Sequence, residues 1–502
     1  MKTLTHRLAS AAGCTLIFAG LAAAQFGGGP AWNAAGGDAQ RTSWVRADAN
    51  ISPASLQTPG FKFLWKVKLN NEAKGDYALS QAVEFPRYIG YRGFRSYAFF
   101  GGASNTAIAL DSDLGRVEWE QRYNISTPAP TAACPGAMTA GVSRPTPLTD
   151  NPLGTVGPGR AATHAESAVG EAKEGAVQVK AALEHPPAAR GPRPPAAFGS
   201  NALFVLTTDG MLHLALVSNG EDSMPPFRFL PANANASNLI FTEDEVYAST
   251  SGNCGGVPNA VWTIDLTGPD KSSKSWKTNG GDVVGTAFGT DGAVFASTGD
   301  GEIVKLERKT LALKDSFSPG NSPFTTSPVV FSHNGKYLIA AANKDGRIYI
   351  LDSASLGGAD HKTPLAKSAT IGEIATGELA TWESNGTRWI LAPISGANGK
   401  VAAYKLEDQG GKLSLDPAWS SRDLLMPQTP AIVNGVVFAL AGGDARHPAV
   451  LYALDGSSGR ELWNSGNTIT SYSRVGPAGG SSQIYLSTHD STVYTFGYEL
   501  VK

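Results

Sequence analysis

The sequence has little cysteine, little charge and no second long apolar run. Three cysteines in 502 residues are too few for a disulfide-rich scaffold or a four-cysteine zinc site. Charged residues make up 17% of the chain, and 41 basic against 43 acidic residues provide no positive field for nucleic acid or anionic lipid. No segment reaches about 20 apolar residues, which excludes a transmembrane helix. Glycine is abundant, at 58 residues, as is typical of a turn-rich globular protein.

The N-terminus has the composition of a secretory signal. Lys2 and Arg7 precede an apolar run from Thr15 to Ala24, which ends in three alanines that suit a signal peptidase. We predict a signal peptide over residues 1–24, cleavage near Ala24, and an extracytoplasmic location, either periplasmic or secreted. Residues 25–60 then form an N-terminal extension.

A repeated phrase runs along the rest of the chain. IALDSDLGRVEWE at 108–120 recurs as YALDGSSGRELWN at 452–464, and weaker copies end in Trp276 and Trp419. Equivalent positions follow one another at intervals of 42–54 residues between Val217 and Gly497. The interval before these, from Asp111 to Val217, is longer, at 106 residues. Units of this length, with short β-branched runs and Asn-Gly or Asp-Gly turns, are typical of propeller blades. The two best copies share three residue types, found at Asp111, Gly115 and Trp119 and at Asp455, Gly459 and Trp463.

The two ends of the chain complement each other. The last unit stops at Leu500 without an outer strand, whereas Phe61–Leu69, which contains Trp65, is a strand without a unit. Giving that strand to the last unit closes the ring and removes an exposed edge. We therefore predict an all-β protein whose residues 61–502 form an eight-bladed propeller of four-stranded antiparallel blades.

A proline-rich stretch interrupts this propeller. Twelve of the 31 prolines fall between Pro128 and Pro195. Proline removes backbone donors and blocks regular strand ladders, so no blade is expected here. We predict a Pro/Ala/Gly-rich insertion at about 126–200, as a long loop or a disordered excursion.

The Ala-Leu-Asp-x-x-x-Gly-x-x-x-Trp phrase at 109–119 and 453–463 resembles the pyrroloquinoline-quinone (PQQ) repeat. That repeat builds the propellers of quinoprotein alcohol dehydrogenases and of the periplasmic scaffold protein of the bacterial outer-membrane barrel-assembly machine. The segment Ala31–Trp44 is also similar to the start of such proteins. The resemblance implies that the tryptophan of one blade docks on the next, a structural role for Trp65, Trp119, Trp276, Trp419 and Trp463.

Two functions remain open. A quinoprotein dehydrogenase oxidising an alcohol or sugar would need PQQ and Ca²⁺, and Asn253 in TSGNCGGVPN resembles that family's asparagine calcium ligand. The chain lacks the family's adjacent cysteine pair, a haem-attachment motif and an assignable catalytic carboxylate. We therefore favour a monomeric binding or scaffolding protein that meets a protein or envelope partner through rim loops, with no catalytic residue, metal ligand or cofactor assigned.

The cysteines Cys134 and Cys254 remain after signal cleavage. They fall in loops of adjacent blades, and equivalent loops of adjacent blades lie close together in a ring. A disulfide is therefore a plausible prediction in an oxidising compartment. Two buried, unpaired thiols are the alternative, because the Cα separation is not encoded in the sequence.

Overall fold

Eight β-sheets stand around a central channel in the computed structural model, which describes residues 32–90, 93–131, 133–148, 201–268, 271–375 and 377–499. Each sheet is one blade of four antiparallel strands, and one blade has a fifth, short inner strand that pairs in parallel. The prediction of an all-β, eight-bladed propeller is confirmed. The expected signal peptide and residues 149–200 of the expected insertion lie outside the described residues. No helix in the described ranges is long and apolar enough to cross a membrane.

Strands are numbered in chain order, and the first four blades follow one another along the chain. From the innermost strand outward, blade 1 consists of β3 (Val83–Gly90), β4 (Gly93–Gly102), β5 (Thr106–Asp111) and β6 (Arg116–Arg122), and blade 2 of β7 (Val142–Ser143), β8 (Ala202–Leu206), β9 (Met211–Leu216) and β10 (Phe227–Arg228). Blade 3 consists of β11 (Asn235–Thr242), β12 (Glu245–Ser251), β13 (Ala260–Asp265) and β14 (Lys274–Lys277). Blade 4 consists of β15 (Val283–Phe288), β16 (Val294–Thr298), β17 (Ile303–Leu306) and β18 (Leu313–Phe317).

The last four blades complete the ring. Blade 5 consists of β20 (Val329–His333), β21 (Lys336–Ala342), β22 (Ile348–Asp352) and β23 (Ala366–Lys367), and blade 6 of β25 (Ala380–Ser384), β26 (Thr387–Ile394), β27 (Lys400–Gln409) and β28 (Lys412–Ser420). Blade 7 consists of β1 (Trp44–Val45), β29 (Ala431–Val433), β30 (Val436–Ala441), β31 (Val450–Asp455) and β32 (Glu461–Asn464). Blade 8 consists of β33 (Ala478–Gly480), β34 (Gln483–Ser487), β35 (Thr492–Gly497) and β2 (Lys62–Lys68). Two further short strands, β19 (Thr326–Ser327) and β24 (Gly377–Glu378), pair with each other in parallel. Three-residue 3₁₀ turns occupy Ser55–Gln57, Cys254–Gly256 and Gly358–Asp360.

The N-terminal strand closes the ring. Strand β2 pairs antiparallel with β35, so Phe63 lies opposite Phe496 and Lys68 lies opposite Thr492. Phe61, just before β2, packs against Phe438 and Trp463 of blade 7. The predicted N-terminal closing strand is therefore present, and the outer edge of β35 is paired.

The repeated tryptophans join neighbouring blades. The indole Nε1 of Trp65 donates to the Ser112 carbonyl at 3.0 Å, and that of Trp119 donates to the Val217 carbonyl at 2.9 Å. Trp419 makes the same bond to the Gly456 carbonyl at 2.9 Å. A glycine lies under each ring, because a Cβ at these sites would come within 2.4–2.6 Å of the indole; the three are Gly115, Gly220 and Gly459. Each docked ring thus requires a residue without a side chain in the next blade.

The aspartates of the repeat fold the turn that carries that glycine. The Asp111 carboxylate accepts the backbone N–H groups of Asp113 and Leu114, both at 3.1 Å. Asp455 accepts those of Ser457 and Ser458 in the equivalent turn. Side-chain acceptors of this kind stabilise tight turns, and the turn is what brings the glycine beneath the indole.

Other blades use different contacts at the same joint. Phe317 of blade 4 takes the indole position against Gly357, where a Cβ would approach its ring to 2.6 Å. Trp463 packs edge-on against Phe61 and Phe496, and Trp276 lies against the apolar core between blades 3 and 4. The joint is therefore apolar in these blades, although blades 3 and 4 lack the complete motif.

The innermost strand of blade 2 lies inside the range 126–200 that proline content assigns to an insertion. Strand β7 has two residues, Val142 and Ser143, which pair with Val205 and Phe204. Such a short strand has no recognisable alternation, and prolines flank it. The proline-rich range is thus not wholly outside the propeller.

Residues 32–45, called the plug below, occupy one end of the channel. Their backbone carbonyls accept N–H groups from the inner edges of six blades, at 2.7–3.0 Å. Each pair, with the accepting carbonyl first and the donating N–H second, is Trp32 and Glu84, Asn33 and Arg144, Ala39 and Phe288, Gln40 and Val330, Thr42 and Thr381, Ser43 and Ile432, or Val45 and Asn434. Backbone groups that face a propeller channel need partners, and the plug supplies them. The channel is therefore closed at this end.

Candidate functional site

The open end of the channel is a funnel of about 300 Å³. Every blade contributes lining residues at or before its inner strand, among them Leu79, Gly141, Asn238, Val284, Ser327, Glu378, Thr429 and Gly476. Ala35 of the plug also lines the cavity. Because the inner strands all run in the same direction, their starts converge on one face, and the funnel opens there.

The base of the funnel buries charged groups. Arg41 of the plug is fully buried, and its Nε donates to the Thr286 carbonyl at 3.0 Å. Burial raises the pKa values of Asp38 and Glu378, and the charge of Arg41 partly opposes this in both. Burial also lowers the pKa of Arg41. The three side chains form a mutually dependent charged cluster that ties the plug to blade 6.

Gln81 connects the plug to blade 8. Its carbonyl oxygen accepts the Trp32 indole N–H and the Gly36 backbone N–H. Its amide donates to the Pro477 carbonyl at 2.9 Å. This side chain is saturated by the protein itself, so its role in the funnel wall is structural.

The mouth of the funnel carries a group of partly exposed side chains, called the rim patch: Tyr77, Leu425, Met426, Tyr472 and Arg474. Tyr77, Leu425 and Met426 are 43–45% exposed. The Arg474 guanidinium lies 4.5 Å from the centre of the Tyr472 ring and donates to the Gly443 carbonyl at 2.9 Å. Gly443 in turn donates to the Leu425 carbonyl, so the loops of blades 7 and 8 hold the patch together.

A disulfide joins Cys134 to Cys254 on the same face. Cys134 belongs to the connection between blades 1 and 2, and Cys254 to the turn between β12 and β13. Their Cα atoms are 5.4 Å apart, although 120 positions separate them in sequence. Both line a side cavity of about 170 Å³. The bridge braces the connection that leads into blade 2.

Asn253 is exposed and does not line the funnel. It adopts a left-handed conformation with φ of 49°, and its backbone N–H donates to Asn259 Oδ1 at 2.9 Å. The Asn259 amide reaches Asp282 and the Gly280 carbonyl, so this buried asparagine organises the loop. The sequence offers no signal that separates Asn259 from other loop asparagines.

The funnel lining can be tested against the cofactor of the quinoprotein dehydrogenases. PQQ is a planar tricarboxylate and would need cationic partners and a divalent cation held by oxygen ligands. The one arginine of the lining, Arg474, already donates to backbone carbonyls, and Glu378 adds negative charge at the base. Among the described residues no three His, Cys, Asp or Glu side chains could share a metal ion. This lining does not fit the cofactor.

Known structures share the fold at low sequence identity. A quinohemoprotein alcohol dehydrogenase from Comamonas testosteroni aligns with a TM-score of 0.62 and 12% identity, covering 94% of this chain and 81% of its own. A europium-containing methanol dehydrogenase aligns at 0.59 and 10%, covering 93% and 98%. BamB from Moraxella catarrhalis aligns at 0.52 and 12%, covering 88% and 99%. No protein-family profile matches the sequence, and no curated protein matches it. The chain therefore has a PQQ-repeat-like propeller fold, and the likeness shows the fold alone.

Proposed function

We propose that this chain is a binding or scaffolding protein that holds a protein partner against the rim patch around the funnel mouth. The exposed Tyr77 and Met426 and the partly exposed Arg474 carry the proposal. Tyrosine, methionine and arginine are enriched in protein interfaces, and these three border a concave mouth on a rigid ring. With the signal-like N-terminus, the proposed location is outside the cytoplasm, and the proposed form is a monomer.

The backbone around the patch supports this role. Arg474 is held by Gly443 and by the Tyr472 ring, so little side-chain entropy is lost when a partner covers it. Asp76 lies 4.0 Å from Arg474, at the outer limit of an ion pair. The mouth thus combines exposed apolar side chains with an arginine whose position is fixed by its neighbours.

Site-specific photo-cross-linking in the source organism tests the proposal. A benzophenone side chain at position 426 should form a discrete protein adduct, and Arg474→Glu in the same chain should abolish it. The matched control is position 313, since Leu313 is 54% exposed on the outermost strand of blade 4. Equal adducts at both positions, or adducts indifferent to Arg474→Glu, would contradict a rim interface.

A quinoprotein dehydrogenase is the alternative, because two of the similar structures are dehydrogenases by name. Titration with PQQ and Ca²⁺ separates the two functions, since a ligand that binds the folded state raises the melting temperature. We expect no shift and no dye reduction with alcohols or sugars. A saturable shift accompanied by dye reduction would replace the binding proposal with the enzyme.

A further inference from the structure

A second cavity, of about 390 Å³, lies between blades 8 and 1. Its walls come from segment 45–50, from β3 and β4, from Asp113 and from the turn Ser481–Ser482 between β33 and β34. These turns follow inner strands, whereas the funnel is lined by residues at or before the starts of inner strands. The cavity therefore opens on the face opposite the funnel and is separate from the proposed rim interface.

Glu84 lies at the buried end of this cavity. Glu84 is 1% exposed, and neither carboxylate oxygen makes a hydrogen bond of normal geometry within the described residues, although the Ser481 hydroxyl lies near enough to lower its pKa. The carboxylate lies directly against the backbone of Gly480, since a Cβ there would be 1.6 Å from Oε2. Burying a carboxylate that lacks well-formed hydrogen bonds raises the free energy of the folded state, so Glu84 lowers the stability of the protein.

The charges around Glu84 leave the cavity negative. Burial raises the pKa of Glu84, and the Ser481 hydroxyl lowers it. Asp48 and Asp113, which also line the cavity, raise this pKa, while Arg144 lowers it. The one lining arginine, Arg95, lies 3.5 Å from Asp111, which also attracts Arg116 at 3.7 Å. Arg144 contacts Glu84 through the backbone carbonyl, at 3.0 Å. Three carboxylates, those of Asp48, Glu84 and Asp113, and one guanidinium group, that of Arg95, thus line the cavity.

The remaining walls combine apolar and hydroxyl groups. Val45, Pro86 and Phe94 form apolar walls, and Phe94 is 74% exposed at the outer side. Ser481 and Ser482 add hydroxyl groups near the carboxylate end. An ammonium group would find its acceptors at the deep end, and an attached apolar group would find the aromatic ring.

We propose that this cavity binds an organic ammonium group that carries an apolar tail, with Glu84 as its main anion. The ammonium group donates to the Glu84 carboxylate, beside the Ser481 hydroxyl, and the tail packs against Phe94. A free arylalkylamine and a lysine side chain of a protein both carry an ammonium group on an apolar chain. The experiment therefore uses one probe for each source.

Isothermal titration of the full-length protein with 2-phenylethylammonium and with N-acetyl-lysine methylamide is the experiment. The first probe should bind saturably, and a tenfold tighter constant for the second would assign the site to protein lysines. The neutral analogue 2-phenylethanol, of the same shape, should bind at least tenfold more weakly than the amine. Equal binding of alcohol and amine, or no binding of either amine, would overturn the proposal.

Variants locate the binding. Glu84→Gln keeps the shape and should weaken the amine at least tenfold, while its melting temperature stays at or above that of the parent. Asp113→Asn, at an exposed turn, should weaken amine binding a few-fold. This second variant tests the site even if Glu84→Gln folds poorly. The control Asp423→Asn removes an exposed carboxylate and should change nothing. Unchanged affinity in both cavity variants would overturn the proposal.

Discussion

At one end of the channel the plug fills the space with its own buried groups, whereas at the other the funnel is left open and bordered by exposed side chains. Both ends carry an arginine. Arg41 is fully buried beside Asp38 and Glu378, and Arg474 is partly exposed beside Tyr472. The same residue type thus serves folding at the closed end and is available to a partner at the open end. Substitutions at the two ends should therefore separate stability from binding.

The largest effect is expected at the closed end. Arg41→Met leaves the partly buried carboxyl groups of Asp38 and Glu378 without their fully buried cation, which should lower the free energy of unfolding by about 3–5 kcal/mol. Denaturant unfolding followed by tryptophan fluorescence measures this. Arg474→Met is the matched substitution at the funnel mouth and should cost less than about 1 kcal/mol. Similar losses for both would show that burial does not distinguish the two arginines.

The disulfide gives the next effect, on the funnel face. Replacing Cys134 and Cys254 together by serine should lower the free energy of unfolding by about 2–4 kcal/mol, because the bridge constrains a long loop of the unfolded chain. Urea unfolding of parent and variant measures the difference. A thiol assay on unfolded, unreduced protein should find no free thiol in the mature chain. Two free thiols would contradict the bridge.

Glu84 should give a stability difference that depends on pH. Burial raises its pKa to about 7, above its ordinary value of 4.5. The folded protein then holds this proton more tightly than the unfolded chain, so stability falls as pH rises through that interval. Glu84→Gln should match the parent near pH 4 and exceed it by up to about 3 kcal/mol at pH 8. Unfolding curves at both pH values measure this, and a constant difference would assign Glu84 a different environment.

The smallest effect on stability is expected at the rim patch. Met426→Glu places a charge on a half-exposed surface and should change the free energy of unfolding by less than about 0.5 kcal/mol. It should nevertheless remove the cross-linked adduct formed from position 77. Leu313→Glu, the control, should leave both unchanged. A large loss of stability in Met426→Glu would mean that the patch packs against the ring rather than facing a partner.

The sequence predicts the ring better than its contents. Phe61–Leu69 could be assigned to the last blade because a missing outer strand and an orphan strand are both visible in the residue pattern. The plug has no such signal, since Trp32–Val45 follows the channel wall rather than a period of its own. Glu84 falls in an ordinary strand, and only the approach of Gly480 and Ser481 from the other end of the chain places it in a cavity. Local patterns define blades, while sites depend on contacts between distant segments.

The closing strand and the plug have a consequence for the order in which the chain can fold. The Ser482 hydroxyl donates to Asp48, 434 positions earlier, and β2 pairs with β35. Strand β2 therefore has no partner strand until the chain has been synthesised as far as β35. Contacts between residues so far apart in sequence form slowly. Until they form, the unpaired strand is prone to pair with another chain. A chain released early from the ribosome would be an open ring with a free edge, so the time between synthesis and closure is the period in which this protein most needs protection from aggregation.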